Sequence, residues 1–344
     1  MPVRLGFVGT GYISKVHARA ARKLPDVALV AVVNHRRPSM EAFAHAFDIP
    51  RRYDHLEDLL ADQVVDALVI STPNYLHAPQ TIAALRSGVH VMVEKPMAMN
   101  AQEAKAMIEA AASSRALLMV AHCWRFDEEV RWLRTQVESG RLGHIVRTTG
   151  YGVHVHWGPS GWFTDKRLAG GGALIDMGIH ALDTARYLLG DPQPVSVYAR
   201  VGTYYGDYDV DDTGILVVQW DNGTVSYIES GWWQPHADGP EAATRLYGTR
   251  GYGSVFPTYL ELPDSRRQEI TRVDGGFPYP RTEHCLQSMY DRQMAYFIQS
   301  VREHRPPVPG GQEGWINMRV LDAAYESART NQVISLVSST EETK

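Results

Sequence analysis

Three side chains in this sequence have the types and neighbours needed to handle a proton and a charged oxygen. Asp176 and His180 are four residues apart in a helical pattern, which puts both on one face about one turn apart. Histidine titrates near neutrality, so His180 is suited to take a proton from a substrate hydroxyl and return it in reverse, while Asp176 bonds the substrate or tunes the imidazole. Lys95 follows the apolar run Val91-Met92-Val93 and precedes Pro96, so the bond after it is of the kind that can be cis. Held there, its ammonium can bond a reacting oxygen and stabilise alkoxide charge. The plainer alternatives are a surface lysine beside a turn and a solvated Asp/His pair near a helix N-terminus. Gly170-Gly171-Gly172, just before Asp176, weighs against the second, because glycines let a chain approach a ligand closely.

A separate group reads as a dinucleotide site. Gly9, Gly11 and Ser14 fill the three small positions of G-x-G-x-x-G directly after a strand pattern and at the start of a helical one. Gly9 allows the tight turn, Gly11 lets the backbone approach a pyrophosphate, and Ser14 is small enough for helix to pack on strand. Thr10, Tyr12 and Ile13 complete the turn, whose free N–H groups face the phosphates. At the end of the second strand, where an NAD site usually carries an acid for the ribose 2′-hydroxyl, stands Asn34-His35-Arg36-Arg37. Asn34 bonds a ribose hydroxyl without repelling a phosphate, and Arg36 or Arg37 can pair with a 2′-phosphate. NADP(H) is therefore favoured, with NAD(H) as the alternative; two solvated loop charges are the plain reading of the arginines.

The elements that must position these residues follow from pattern. From Val3 to about Ala121, short apolar runs (Val3–Val8, Val27–Val33, Ala67–Ser71, Val89–Val93, Leu117–Ala121) alternate with helical stretches (Ile13–Leu24, Ser39–Phe47, His77–Ser87, Ala101–Ser114). That alternation is the signature of βαβ units around a parallel sheet. Asn100 and Glu103 stand in capping-box positions, and Gly88 stands where a helix should stop. After a helix at about Phe126 to Ser139 the pattern turns to antiparallel strands: Val195–Gly202, Ile215–Trp220, Thr224–Trp232, Ala243–Tyr247, Gly253–Phe256, Gln268–Val273 and a short Val333–Leu336. Asn222-Gly223 predicts a type I′ hairpin turn. Helices are expected at Ile175–Leu189, Gln287–Glu303 and Glu313–Asn331. The fold class is α/β: an N-terminal doubly wound parallel sheet of Rossmann type and a C-terminal α/β domain with a mostly antiparallel sheet. A chain of 344 residues exceeds one ordinary core, and the domains are expected at 1–122 and 123–344, the last helix being a candidate to pack back near the first domain.

Composition bounds the partners. A net charge of −5 disfavours nucleic acid and anionic membrane surfaces, which leaves a small molecule. Only Cys123 and Cys285 are present, without disulfide or zinc spacing, which points to a reducing compartment. No export signal or membrane-length apolar run is visible, so the expected location is cytoplasmic. His154-Val155-His156 has strand spacing, but no further ligands accompany it, and no metal is expected. These histidines read as polar substrate contacts or loop residues. Trp157, Trp162, Trp232 and Trp233 have rings that can pack on apolar sugar faces, although at least one of Trp232 and Trp233 should be core. The acidic, Tyr-rich stretch Asp207 to Asp212 reads as a solvated hairpin loop.

Three stretches, in this order and spacing, resemble the Gfo/Idh/MocA family, the group of glucose-fructose oxidoreductase and inositol dehydrogenase: Ser71-Thr72-Pro73-Asn74-Tyr75-Leu76-His77, Glu94-Lys95-Pro96, and Gly170 through Asp183. The resemblance spans nearly the whole chain. It implies a Rossmann domain, a large open C-terminal sheet, homodimers or homotetramers formed through that sheet, and hydride transfer between nicotinamide and a hydroxyl or carbonyl carbon of a sugar, inositol or related polyol. It also implies that Ser71, Thr72, Pro73, Asn74, His77, Glu94 and Lys95 line the cofactor. Lys95, Asp176 and His180 would be the catalytic lysine, aspartate and histidine, and Arg125, His154, His156, Trp157 and Trp162 substrate-side residues. Two positions depart from the family pattern: Ser14 replaces the third glycine, and Cys123 stands where many relatives have Asn. A dihydrodiol dehydrogenase or biliverdin-reductase-like activity is the rival within enzymes, and a non-catalytic NADPH-sensing protein the rival outside them.

Overall fold

The computed structural model describes residues 1–235, 241–264, 269–281 and 285–337. The chain forms two compact units, Met1–Phe126 with Leu286–Met318, and Asp127–Cys285 with Arg319–Lys344.

In the first unit, β1 (Val3–Val8), α1 (Tyr12–Arg22), β2 (Val27–Val33), α2 (Arg37–Phe47), β3 (Arg51–Tyr53), α3 (Leu56–Ala61), β4 (Ala67–Ile70), α4 (Asn74–Arg86), β5 (His90–Val93), α5 (Ala101–Ser114) and β6 (Leu118–Val120) follow in sequence. The six strands are all parallel, in the order β3-β2-β1-β4-β5-β6, the doubly wound order that reverses beside β1. β1, β4 and β5 are apolar almost throughout because helices cover both faces of such a sheet. The expected N-cap forms, with the Glu103 N–H donating to Asn100 Oδ1 at 2.9 Å, while the Glu103 carboxylate takes the N–H of Met99, one residue before the cap.

The second unit begins with α6 (Glu128–Glu138) and β7 (Ile145–Val155), then α7 (Lys166–Ala169), one turn of π-helix (Leu174–Gly178) and α8 (Ile179–Leu188). β8 (Pro194–Gly202), β9 (Thr213–Trp220), β10 (Val225–Gln234), β11 (Ala242–Gly248), β12 (Tyr252–Val255), β13 (Tyr259–Asp264) and β14 (Glu269–Asp274) follow. After α9 (Gln287–Glu303) in the first unit and α10 (Gly311–Thr330), β15 (Ile334–Ser335) completes a nine-stranded sheet, β14-β13-β12-β11-β7-β10-β9-β8-β15. All its pairs are antiparallel except β7 with β10. The long strand β7, unforeseen from pattern, runs at its centre. Gln268, the first residue of one expected strand, lies outside the described residues. Among the described residues no helix is long and apolar enough to cross a membrane.

The hairpin between β9 and β10 is not of type I′. Gly223 has φ +82°, but Asn222 is not in the left-handed region, and the Gly223 N–H returns to Trp220 O at 3.0 Å. Asp221 and Asn222 therefore form an ordinary turn followed by a left-handed glycine, the three-residue solution that also suits strand twist.

The glycine run before Asp176 serves the protein rather than a ligand. Gly170, at φ +84°, ends α7. A Cβ on Gly171 would lie 2.0 Å from the Tyr325 hydroxyl, and one on Gly172 1.8 Å from the Asp211 carbonyl oxygen. The Asp207 to Asp212 stretch is likewise not simply solvated. Asp211 and Asp212 are buried. Asp211 accepts the N–H groups of Gly172 (2.9 Å) and Leu174 (2.8 Å) and the Tyr325 hydroxyl (2.9 Å). Asp212 accepts the Tyr204 and Tyr205 N–H groups and the Tyr208 hydroxyl. Burial pushes the Asp211 carboxyl above its ordinary range, against those three hydrogen bonds. Gly172→Ala is expected to destabilise the protein by about 1–3 kcal/mol through overpacking against Asp211, read as a lower urea midpoint at unchanged slope.

Candidate functional site

The nucleotide half is built on the first unit. Gly9, at φ +99°, has no room for a Cβ, which would sit 2.6 Å from Ser71 O. Gly11, which caps α1, would meet nothing within 4 Å. One glycine is thus required by the fold, and the other keeps open the space that a pyrophosphate needs. The first turn of α1 has no acidic residue to compete with an anion there. Ser14 does more than fit: buried, it shares a 2.6 Å hydrogen bond with Ser71, tying α1 to the end of β4. Ile13 is half-buried and Tyr12 exposed.

The end of β2 is held from inside. Asn34 donates to Thr10 Oγ1, Thr10 shares a 2.7 Å bond with Ser39, and Asn34 Oδ1 takes the Arg36 N–H at 3.3 Å. Arg36 and Arg37 are exposed at the N-terminus of α2, which itself favours an anion.

Lys95 stands where β5 ends, and its bond to Pro96 is cis. Its N–H donates to Glu94 Oε2 at 3.1 Å, while Glu94 Oε1 meets His17 Nε2 at 2.6 Å in the interior. Burial opposes the charged Glu94 carboxylate, but the His17 hydrogen bond and the charges of His17, Lys95 and His77 outweigh it and hold the pKa below the usual range. His17 packs edge-on against Tyr290 of α9. His77 is buried, with Nδ1 2.7 Å from Pro96 O and Nε2 2.8 Å from Thr72 O, so its ring ties the loop after β4 to the loop after β5. Burial lowers its pKa despite both carbonyls. Thr72 also donates to Gln80, Pro73 caps α4, and Asn74 is buried in its first turn. Arg125 and Cys123 are buried in a short 3₁₀ turn after β6.

The second unit carries Asp176 in the π-turn and His180 in the first turn of α8. The Ile179 N–H reaches Leu174 O, five residues back. The step from Asp176 to His180 therefore runs through a wider turn than the α-helical spacing expected, a local form often met at functional sites. The segment lies close on the sheet, since a Cβ on Gly152 would be 2.3 Å from Met177 O and one on Gly178 3.0 Å from the Ser230 Cβ. Trp232, fully buried, donates its indole N–H to Asp176 Oδ2 at 3.1 Å. His154 Nε2 is 3.7 Å from the same oxygen. The ring of His154 stacks on Trp157, with centroids 3.6 Å apart. Asp176, His154 and Trp157 are thus brought together. His156 is exposed, at φ +58°, and Trp162 stacks on Phe163.

Sequence reasoning missed His17, Asp211 and Glu241. A histidine on the apolar face of α1 was a usable signal for the first. The acidic run carried the second, where two adjacent carboxylates open β9. Nothing local marks Glu241, whose carboxylate meets Val155, Trp157 and His154 only because β11 pairs with β7.

A doubly wound parallel sheet followed by a large, mostly antiparallel one, with Asp176 and His180 on the helical segment against it, is the architecture of an oxidoreductase family. Residues 3–122 match the family model of an oxidoreductase family with an NAD-binding Rossmann fold, and residues 130–253 match the Gfo/Idh/MocA C-terminal domain. The chain belongs to the Gfo/Idh/MocA family. It is similar to D-glucoside 3-dehydrogenase of Escherichia coli (30% identical, covering 97% of this chain and 98% of the relative). It is also similar to inositol 2-dehydrogenase of Rhizobium meliloti (30%, covering 98% and 100%) and to D-xylose 1-dehydrogenase (NADP(+)) 2 of Haloferax volcanii (32%, covering 96% and 98%). Among solved structures, levoglucosan dehydrogenase in complex with NADH and levoglucosan shares the fold at a TM-score of 0.86 and 24% identity, covering 97% of this chain and 99% of that one.

Glu94→Gln is expected to cost about 1–3 kcal/mol near neutrality, because His17 loses a charged partner in the interior. With its folded pKa depressed, Glu94 contributes stability that is complete above the ordinary glutamate range and is lost as pH falls through the folded pKa. Urea unfolding at about pH 7 and in steps down to about pH 4 should therefore show the gap between wild type and variant closing on acidification; a constant gap contradicts this role.

Proposed function

We propose that this protein is an NADP(H)-preferring dehydrogenase or reductase that moves a hydride between nicotinamide and a hydroxyl or carbonyl carbon of a sugar, inositol or related polyol. The observation that carries the reading is the make-up of the second unit: a partly buried Asp176 carboxylate held by Trp232 and faced by His154, with His180 opening the following helix. Such a set serves hydroxyl recognition and proton transfer. The similarity to D-glucoside, inositol and D-xylose dehydrogenases over nearly the whole chain supports the same substrate class.

When bound, the nicotinamide supplies the hydride acceptor or donor, and the protein supplies binding, orientation and proton handling. The space at Gly11, the N-terminus of α1 and the backbone N–H groups there suit the pyrophosphate. Lys95 bonds the reacting oxygen and stabilises its developing negative charge. His180 accepts the hydroxyl proton during oxidation and returns it during reduction. Asp176 orients the hydroxyl. Preference for NADP(H) follows from the charge balance near the ribose: Asn34 brings no negative charge, while Arg36, Arg37 and the α2 N-terminus favour a 2′-phosphate. The resemblance further supports a homo-oligomer, and two cysteines without disulfide spacing support a reducing compartment. Exposed Ile215 and Val225 and the Tyr247-Tyr252-Tyr259 row, with Arg147 and Arg272 on its outer rings, offer apolar and stacking surface for a second copy.

Lys95→Ala should retain nucleotide binding and lose about a hundredfold or more in kcat, measured by nicotinamide absorbance on a panel of sugars, cyclic polyols and aromatic diols. Unchanged turnover defeats the assignment of Lys95, and turnover of aromatic diols alone defeats the sugar reading. In titrations, NADPH should bind about tenfold more tightly than NADH, and the double change Arg36→Ala with Arg37→Ala should abolish the difference. Equal affinities in the wild type refute the NADP preference.

A further inference from the structure

The contacts around Asp176 continue outward to a residue that the reaction does not require. His154 lies between two carboxylates, with Nε2 3.7 Å from Asp176 Oδ2 and Nδ1 3.4 Å from Glu241 Oε2. Glu241 Oε1 accepts the Trp157 indole N–H at 2.5 Å and the Val155 N–H at 3.2 Å. Glu241 thus fixes the indole through its N–H, while His154 supports one face of the ring at 3.6 Å. Trp157 is nevertheless 45% exposed, unlike the buried Trp232, and the Glu241 side chain keeps 20% of its own exposure. An aromatic ring held at edge and face, yet left open, is a prepared surface rather than a core residue.

We propose that Trp157 and Glu241 form a specificity subsite beside Asp176 that takes uncharged ring sugars or cyclic polyols through their hydroxyl groups and rejects carboxylated or phosphorylated ones. The reason lies in the donors and acceptors. Ionised carboxylates only accept hydrogen bonds. The indole N–H groups of this cluster are turned inward, that of Trp157 to Glu241 and that of Trp232 to Asp176, and the His154 ring lies between the two carboxylates. On the Trp157 side of Asp176 a ligand therefore meets carboxylate oxygens and an indole face. A sugar hydroxyl has a proton to give, and the C–H face of a ring packs on indole. A carboxylate or phosphate group brings acceptors of its own and a like charge, which costs affinity in a partly dry site. Glu241 acts here as a specificity residue and takes no part in the hydride or proton steps.

The inference rests on the proposed reaction only for the kind of ring bound, so it is tested by binding as well as turnover. Isothermal titration of the full-length protein with methyl glucopyranoside, D-xylose and myo-inositol, and with methyl glucopyranosiduronate, glucose 6-phosphate and inositol monophosphate, compares neutral rings with charged counterparts. At least one neutral ring should bind about a hundredfold more tightly than its charged counterpart. Glu241→Gln, of the same shape but uncharged and able to donate, should reduce that ratio about tenfold, mainly by improving the charged ligand. Trp157→Phe keeps an aromatic face but removes the N–H that Glu241 accepts, and should weaken the neutral ligand severalfold. The proposal is overturned if no neutral ring binds, if charged counterparts bind as tightly in the wild type, or if the ratio survives Glu241→Gln. Selective binding of neutral rings without any turnover would support the subsite and refute the dehydrogenase reading instead.

Discussion

A carboxylate taken out of water must have its lone pairs met by donors, or it costs several kcal/mol. Asp211 meets that demand with two backbone N–H groups and a tyrosine hydroxyl, and much of the second unit follows from it. Gly171 and Gly172 have to be glycine because the chain must come within bonding distance of Asp211 and Tyr325. The segment that follows starts at a fixed point, with its first free N–H groups already bonded. Asp176 and His180 therefore inherit their position from a residue more than thirty places later in the chain.

Glu94 plays the corresponding part in the first unit. Its charge is kept by His17 on one oxygen, and its other oxygen takes the Lys95 N–H, so the backbone that carries the lysine is tied to α1. His77 adds a second tie through Pro96, and its other nitrogen reaches Thr72 in the loop after β4. Residues read at first as cofactor contacts thus also hold one another. The loops after β4 and β5 are thus stiffened by buried polar groups, and preorganisation of that kind is what the proposed stabilisation of a reacting oxygen requires. His17, anchored edge-on by Tyr290, also joins α9 to this arrangement.

Much of the fold was legible along the chain. The alternation of apolar runs and helical stretches reports a parallel sheet because buried strands must be apolar on both faces. Helices such as Ala101–Ser114 and Gln287–Glu303 were bounded correctly because their signals are local. The errors arose where a residue's surroundings come from distant segments. Asp211 and Asp212 looked solvated because their neighbours are polar and tyrosine-rich, yet both are enclosed. The glycine run looked open to a ligand but faces protein atoms. The Asn222-Gly223 turn has the composition of a two-residue hairpin, but strand pairing places its ends one residue farther apart.

By itself the sequence determined the residue types available for chemistry, the doubly wound first half and the membership of an oxidoreductase family, because turn, cap and alternation rules act over a few residues. Tertiary structure alone decided which of those residues share an environment. It placed His154 between Asp176 and Glu241, set an indole N–H on Asp176 from a strand 56 residues later, and introduced a π-turn where an α-helix was expected. Hydrogen-bond satisfaction and close packing are properties of space rather than of sequence distance, so Asp176, the residue most suited to chemistry, was visible early while its neighbours were not.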